Sequence, residues 1–260
     1  MINRSFQGPV GRYVIVLLVL FNLTLTGCTS RKQNVLRIAV SSNFASPAKE
    51  ISSRFEKRSG NPVSLSFGST GKHYAQIANG APFDVFLAAD SKHPGLLEKN
   101  GLAVKGSRFI YATGRLALWS AKPDFIDRKG DVLKSEDLRY IAIANPKLAP
   151  YGFAAMEVIR NRGIDTAGLE SRIVKGENVT QAFQFVKTGN AEIGFVAYSQ
   201  IKKPGADIEG SMYLIPEKQY SRIDQEAILI NEKPAAREFA EFLKNPEIIN
   251  LIRSYGYGTP

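Results

Sequence analysis

Small polar residues recur at four points where an apolar strand pattern ends and a helix pattern begins. These loops are residues 40–43, 67–71, 145–152 and 177–180. The first N–H groups of a helix have no partner within the helix and carry a partial positive charge, so loops of this design suit an anion. The four loops therefore predict a neutral cage of hydroxyl, amide and backbone N–H donors for a small anion.

Each loop also has a structural interpretation, because Ser, Thr and Asn are common N-cap residues. Taken alone, any one loop fits a helix cap better than a binding site. Ligands of open α/β sheets bind beyond the carboxyl ends of the strands, where all four loops are expected. Convergence of the loops would favour a site over four separate caps.

Catalytic patterns are weak in this chain. A P-loop match around residues 68–72 fails, because the motif needs glycine where Ser66 stands and Ser or Thr where His73 stands. His73 and His93 are the only histidines, and we expect both at the surface. Without a cysteine partner they offer neither a zinc site nor a Cys/His nucleophile. Asp84 and Asp90 flank a strand pattern, and we expect strand-end aspartates to cap the following helix.

Strand and helix patterns alternate along the chain. Apolar strand patterns occupy residues 35–40, 63–67, 83–88, 116–121, 140–144, 193–197 and 227–230. Helix patterns begin with Ser46 as cap and Pro47 in the first turn, and continue at 71–79, 152–161, 179–188, 235–243 and 247–255. This alternation predicts an α/β fold with mostly parallel sheets, in which Trp119 and most phenylalanines fill the core.

The first 27 residues have the features of a secretory signal. Arg4 and Arg12 precede an apolar run at 13–21, which is shorter than the roughly 20 residues of a membrane-spanning helix. The sequence at 25–28 resembles the bacterial lipoprotein box, so we expect cleavage before Cys28, lipidation of its thiol and a polar tether at 28–34. A transmembrane anchor is the alternative. Cys28 is the only cysteine, so no disulfide can form within the chain.

Removal of residues 1–27 would leave 233 residues and lower the formal net charge from +10 to +8. That length is enough for one large domain or two modest ones. The basic side chains are scattered, and an exported protein is not expected to meet nucleic acid. Basic character therefore agrees with an anionic solute or an acidic membrane surface.

Eight stretches, taken in order, resemble the periplasmic molybdate-binding proteins of ABC importers along essentially the whole mature chain. They are residues 38–44, 66–71, 80–90, 143–146, 150–152, 176–179, 193–196 and 255–256. The resemblance implies a type II periplasmic-binding-protein fold of two α/β lobes with mixed, mostly parallel sheets. Residues 35–112 and 218–260 would form the first lobe and residues 113–217 the second. Two crossover strands, near 111–114 and 216–220, would join them.

The same resemblance implies a set of anion donors. They are Ser42 and Asn43 in the first loop, Ser69 and Thr70 in the second, Tyr151 in the third and the backbone N–H of Val179 in the fourth. In one branch of the family a tyrosine after the 193–196 strand donates instead. That position is Ala197 here, with Tyr198 beside it, so this chain resembles the branch that uses Tyr151. Whether Lys72 contributes charge stays open.

The function implied is capture of molybdate, and also tungstate, for delivery to the permease and ATPase subunits of an ABC importer. We expect no catalysis, no cofactor and no direct cation ligand, since molybdenum would arrive as its oxyanion. We expect a monomer without nucleic acid, anchored outside the cytoplasm through Cys28. The alternatives are a binding protein for sulfate or phosphate, and an exported lipoprotein hydrolase.

Overall fold

Two five-stranded sheets, each covered by helices, make up the structure, a computed structural model that describes residues 35–258 apart from the side chain of residue 167. The predicted signal, Cys28 and the tether lie outside the described residues. Each sheet with its helices forms one lobe, and the two predicted α/β lobes are confirmed. None of the helices within 35–258 is both long and apolar enough to cross a bilayer.

The first lobe is built on a sheet with the strand order β2-β1-β3-β10-β4. Its strands are β1 (Leu36–Ser41), β2 (Val63–Gly68), β3 (Val85–Ala88), β4 (Phe109–Gly114) and β10 (Ile223–Leu229). Its helices are α1 (Ala45–Ser59), α2 (Thr70–Ala78), α3 (Lys92–Lys99), α8 (Pro234–Leu243) and α9 (Pro246–Ser254). A 3-10 turn, Ser42–Phe44, joins β1 to α1.

The second lobe is built on a sheet with the strand order β7-β6-β8-β5-β9. Its strands are β5 (Leu116–Ser120), β6 (Ile141–Ala144), β7 (Ile173–Gly176), β8 (Ile193–Ala197) and β9 (Ser211–Leu214). Its helices are α4 (Pro150–Asn161), α5 (Thr166–Glu170), α6 (Val179–Lys187) and α7 (Tyr198–Ile201), and 3-10 turns lie at Asp131–Lys134 and Glu217–Gln219.

Both sheets are mixed. In the first, β1 pairs in parallel with β2 and β3, whereas β10 pairs antiparallel with β3 and β4. In the second, β6 pairs in parallel with β7 and β8, whereas β5 pairs antiparallel with β8 and β9. Parallel pairing is thus half of each sheet, less than the alternating pattern suggested. The antiparallel pairs are those made by β10 in the first sheet and by β5 in the second.

Each sheet is buried on both faces, which explains the continuous apolar runs of the central strands. In the first lobe Phe55 of α1 meets Phe239 of α8 edge to face at 5.2 Å. In the second lobe Trp119 of β5 stacks on Phe183 of α6 at 4.9 Å, as expected for a core residue. These packed layers hold the loops at the strand ends in fixed positions.

The predicted strands and helices are present with shifts of a few residues at their ends. The predicted cap at Ser46 is wrong, because the 3-10 turn runs directly into α1 one residue earlier and Phe44 takes the N-cap position without a side-chain bond. The strand and helix patterns did not include α3, α5, α7, β4, β7 or β9. Pro94 and Gly95 in α3 hide its helical pattern, and the residues of β9 are only half-buried.

Candidate functional site

The four predicted loops meet in one small cavity between the lobes. All six predicted donors line it: Ser42, Asn43, Ser69, Thr70, Tyr151 and Val179. None of the six is more than 6% exposed. We call this space the interlobe cavity. Its volume of about 10 Å³ is far below the ~300–1,000 Å³ typical of sites for drug-sized ligands. So small a space excludes ligands of that size.

Helix starts surround the interlobe cavity. Thr70, Pro150 and Val179 are the first residues of α2, α4 and α6, and all three line the cavity. The 3-10 turn that precedes α1 begins at Ser42 and is the fourth helical start at the cavity. The positive N-terminal ends of these helices therefore border one cavity, which favours a negative charge there.

Ser69 occupies the N-cap position of α2 and yet does not cap it. Its side chain makes no capping hydrogen bond, and its buried hydroxyl has no hydrogen-bond partner. A buried polar group left unpaired costs roughly 1–3 kcal/mol. The structural interpretation of this loop therefore fails for Ser69, and its hydroxyl is free to bind an acceptor in the cavity.

Thr70 links three loops. Its hydroxyl lies 2.5 Å from the Ser41 hydroxyl and accepts a 3.0 Å hydrogen bond from the N–H of Ala89. The second-loop hydroxyls thus differ: that of Thr70 is held by protein groups, whereas that of Ser69 is unpaired. Thr70 lines the cavity and also positions the loops around it.

Tyr151 contributes the second unpaired hydroxyl. It stands in the first turn of α4, which begins with Pro150 after an N-cap, Ala149, that has no side-chain donor or acceptor. Its ring is 2% exposed, and its hydroxyl is buried without a hydrogen-bond partner. Burial, with Tyr257 nearby, raises the pKa of Tyr151 well above its usual range, and the neighbouring Asn43 amide opposes only part of that shift. The hydroxyl therefore keeps its proton and remains a donor.

The fourth loop has a true cap, and that cap isolates one amide. The Asn178 side chain accepts hydrogen bonds from the N–H groups of Thr180 at 3.0 Å and Gln181 at 3.1 Å. These are the second and third amides of α6. The first amide, that of Val179, is the one for which the cap provides no acceptor. This agrees with the predicted role of the Val179 backbone.

Asn43 lines the cavity, but its side chain is engaged elsewhere. Its Nδ2 donates to Oε1 of Gln225 at 2.7 Å and to the Tyr257 hydroxyl at 3.0 Å. The Ser199 hydroxyl donates to the Asn43 carbonyl at 3.1 Å. We call Asn43, Ser199, Gln225 and Tyr257 the Asn43 cluster. Both amide hydrogens of Asn43 are used within it, which leaves its backbone N–H as the group that can face an anion.

Direct contacts join the lobes around the cavity. The N–H of Gly71 donates to the Leu148 carbonyl at 2.9 Å. The Thr180 hydroxyl donates to the Ser42 carbonyl at 3.1 Å. Lys72 pairs with Glu177 at 2.9 Å, with both side chains nearly half exposed. The residues that line the cavity are all uncharged, and neither Lys72 nor Glu177 is among them.

Tyr198 does not line the interlobe cavity. Its ring lies under the guanidinium of Arg115, 5.2 Å from the ring centroid. Six further residues line the cavity without having been predicted as donors, namely Ser41, Gly68, Ala89, Ala149, Pro150 and Asn178. Five belong to the four polar loops, and Ala89 follows β3. No signal in the sequence indicated Gln225, Ser199 or Tyr257 as partners of Asn43.

The predicted surface position of His73 is wrong. The ring is 1% exposed, and its nitrogens lie 3.2 Å from the Val40 carbonyl and 3.0 Å from Oε1 of Gln76. Burial lowers the pKa of His73, so the ring is a neutral core residue. His93 pairs with Asp90 at 2.8 Å, and neither lines the interlobe cavity. Asp90 also accepts from the N–H of His93 in α3, as expected of a cap.

Asp84 differs from that expectation, because it caps no helix. It pairs with Lys233 at 2.7 Å and accepts from the Arg37 N–H at 2.8 Å. Within residues 35–258, no group of three or more His, Cys, Asp or Glu side chains could hold a metal ion.

Two lobes that enclose a small, uncharged, donor-lined cavity define a solute-binding protein.

Comparison with known proteins agrees with this class. A family described as bacterial extracellular solute-binding protein matches residues 36–258. The chain is 47% identical to the molybdate-binding protein ModA of Azotobacter vinelandii over 245 residues, 93% of this chain and 96% of that relative. It is 48% identical to ModA of Rhodobacter capsulatus over 225 residues, 85% and 87% of the two chains.

A solved structure, the periplasmic molybdate-binding protein of Azotobacter vinelandii, superposes with a TM-score of 0.84. It is 41% identical and covers 86% of this chain and 99% of that one. The chain belongs to the bacterial extracellular solute-binding protein family, among its molybdate-binding members. Proteins of this family are exported binding components of transport systems, which agrees with the predicted signal.

Proposed function

We propose that this protein captures molybdate, and also tungstate, in the interlobe cavity and delivers it to an ABC importer. The observation that carries the proposal is the pair of buried, unpaired hydroxyls on Ser69 and Tyr151 beside the uncapped amide of Val179. An oxyanion offers acceptors to all three groups. The relatives that share the fold at high identity are molybdate-binding proteins.

Neutral donors suffice to bind the anion. Hydrogen bonds to a charged group contribute about 1.5–3 kcal/mol each. Ser69, Tyr151 and Val179, with the backbone N–H groups of Ser42 and Asn43, would offset desolvation and reach the roughly −8 kcal/mol of micromolar binding. A cavity closed by direct contacts between the lobes selects by size. Sulfate, with shorter bonds to oxygen than molybdate, would leave part of the donor set unsatisfied.

Capture without catalysis follows from the side chains at hand. Tyr151 is the one titratable residue that lines the cavity. Its raised pKa keeps the hydroxyl protonated, so it cannot act as a general base. Residues 35–112 and 218–260 would move against residues 113–217, with crossovers near 111–114 and 216–220. The hinge would lie where β4 ends at Gly114 and β5 begins at Leu116.

Location and partners complete the proposal. Cleavage before Cys28 and lipidation of its thiol would tether a monomer to the periplasmic side of a membrane or to the outer face of the cell. There the loaded protein would dock on the permease of an importer driven by its ATPase subunits. When the full chain is expressed in cells fed a radioactive fatty acid, the wild type should carry the label and Cys28→Ser should not.

A thermal-shift titration of residues 29–260 tests the function. Residues 35–258 contain both complete cores, so this chain retains the fold. Molybdate and tungstate at 100 times their dissociation constants would stabilise it by about 2.7 kcal/mol. Sulfate and phosphate at the same concentrations would give smaller shifts. A shift with sulfate or phosphate and none with molybdate or tungstate would replace this proposal with the alternative oxyanion.

A further inference from the structure

Gly114 stands at the point where the chain leaves the first sheet. It is the last residue of β4, it pairs with Ile223 of β10, and β5 of the second lobe begins two residues later. Its φ lies outside the left-handed region, so its backbone conformation is open to any residue. The reason for glycine here must be space.

Tyr151 occupies the space that a side chain at residue 114 would need. A Cβ atom at Gly114 would lie 2.2 Å from the Tyr151 hydroxyl oxygen and 3.0 Å from its Cζ. Both atoms belong to a ring that is buried and held at the start of α4. Any side chain at 114 therefore displaces the Tyr151 hydroxyl. The interlobe cavity is the open space that borders Tyr151.

The same position also supports the first loop. A Cβ at Gly114 would lie 2.9 Å from Nε2 of Gln225. The Oε1 atom of that amide accepts the 2.7 Å hydrogen bond from Asn43. One glycine is thus in contact with a cavity-lining residue of the second lobe and, through Gln225, reaches one of the first lobe.

We propose that Gly114 is a positioning residue for oxyanion binding, because its lack of a side chain leaves the place that the Tyr151 hydroxyl and the Gln225 amide occupy. This inference rests on the proposed function. Gly114 contacts no ligand itself and acts mainly through Tyr151, because a Cβ at residue 114 would lie closer to the Tyr151 hydroxyl (2.2 Å) than to Nε2 of Gln225 (2.9 Å). A larger residue at 114 pushes the hydroxyl toward the cavity and reduces the room for the anion.

A double-mutant cycle tests the inference. Isothermal titration with molybdate compares wild type, Gly114→Ala, Tyr151→Ala and the double variant in residues 29–260. We expect Gly114→Ala to weaken binding at least tenfold in the wild-type background and less than twofold in the Tyr151→Ala background. Gly258→Ala is the matched control, because its Cβ would meet only Thr113, at 3.3 Å or more. It should bind within twofold of wild type.

Equal losses in both backgrounds, or wild-type binding by Gly114→Ala, would overturn the inference. Thermal midpoints without ligand provide a readout that does not depend on the identity of the anion. Gly114→Ala should lower the midpoint, and Tyr151→Ala should remove most of that loss. If Gly114→Ala does not fold, the double variant must fold and bind like Tyr151→Ala. Failure of the double variant to fold would also overturn the inference, whereas absence of molybdate binding by wild type would refute the proposed function alone.

Discussion

Two neighbouring regions between the lobes use similar side chains in opposite states. In the Asn43 cluster, an amide, a hydroxyl and a phenol are joined to one another and to Gln225. The Tyr257 hydroxyl donates to the Asn43 carbonyl at 2.8 Å and lies 2.9 Å from the Ser199 hydroxyl. In the interlobe cavity, the hydroxyls of Ser69 and Tyr151 are equally buried and have no partner.

This difference separates support from binding. Buried polar groups in proteins are nearly always paired, so a satisfied cluster needs no ligand to explain it. Two unpaired hydroxyls at one cavity, with three helix starts around them, favour an acceptor from outside the chain. The Asn43 cluster then serves to join the lobes, and the cavity serves to hold the anion.

Substitution of Tyr151 should produce the largest change in affinity. Tyr151→Phe removes a donor to the anion, so we expect molybdate to bind about 10- to 100-fold more weakly. The ligand-free protein should be as stable as wild type or more stable, because an unpaired hydroxyl is lost. Isothermal titration and thermal unfolding measure the two effects. Tyr198→Phe is the matched control. A loss of affinity in Tyr198→Phe, together with an unchanged affinity in Tyr151→Phe, would reverse the assignment.

Ser69 should behave in the same way with a smaller loss. Ser69→Ala removes a single hydroxyl and leaves the backbone of the α2 start in place, so we expect about tenfold weaker binding. Stability without ligand should not fall, since the hydroxyl caps no helix. Ser52→Ala provides a control, because Ser52 also has a buried, unpaired hydroxyl but does not line the cavity. Similar affinity losses in both variants would undermine the comparison.

Tyr257 should show the opposite pattern. Tyr257→Phe removes the hydrogen bonds that the Tyr257 hydroxyl makes with Asn43 and Ser199, so we expect the free energy of unfolding to fall by about 1–2 kcal/mol. The affinity for molybdate should change less than in Tyr151→Phe. Chemical denaturation without ligand measures the stability. An unchanged stability combined with a large affinity loss would move Tyr257 from support to binding.

Lys72 should have the smallest effect. Its ion pair with Glu177 is nearly half exposed and does not line the cavity, and such pairs contribute roughly 0.2–1 kcal/mol. Lys72→Gln should therefore change the affinity at 0.15 M salt by a few-fold at most. Titration at two salt concentrations checks the origin of any change. A loss as large as that of Tyr151→Phe would show that a formal charge, and not the neutral donors, holds the anion.

Sequence patterns predicted the parts of this fold that depend on periodicity and chain punctuation. Buried strands such as β3, β6 and β8 are continuous apolar runs, and Gly60 ends α1 in the left-handed conformation. Edge strands were harder: β7 and β9 are short and half-buried, so their pattern is weak. His73 was predicted at the surface because a single polar residue in a helix pattern does not show that it packs against a strand.

The sequence predicted which loops form the site. It did not predict which of their donors are already hydrogen-bonded within the protein. The same residue types that cap helices also bind anions, and only three-dimensional placement distinguishes Ser69 from Asn178. Contacts across long sequence separations decide the rest. Asn43 loses its amide donors to Gln225, 182 residues away, and to Tyr257, 214 residues away. No local pattern encodes such a pairing.

A crystal structure of residues 29–260 with molybdate tests the central claim most directly. The account predicts one anion in the interlobe cavity, with the Ser69 hydroxyl, the Tyr151 hydroxyl and the Val179 N–H each about 2.7–3.2 Å from an anion oxygen. The Asn43 side chain should keep its bonds to Gln225 and Tyr257. An anion bound elsewhere, or one in the cavity with the Tyr151 hydroxyl still unpaired, would contradict the account.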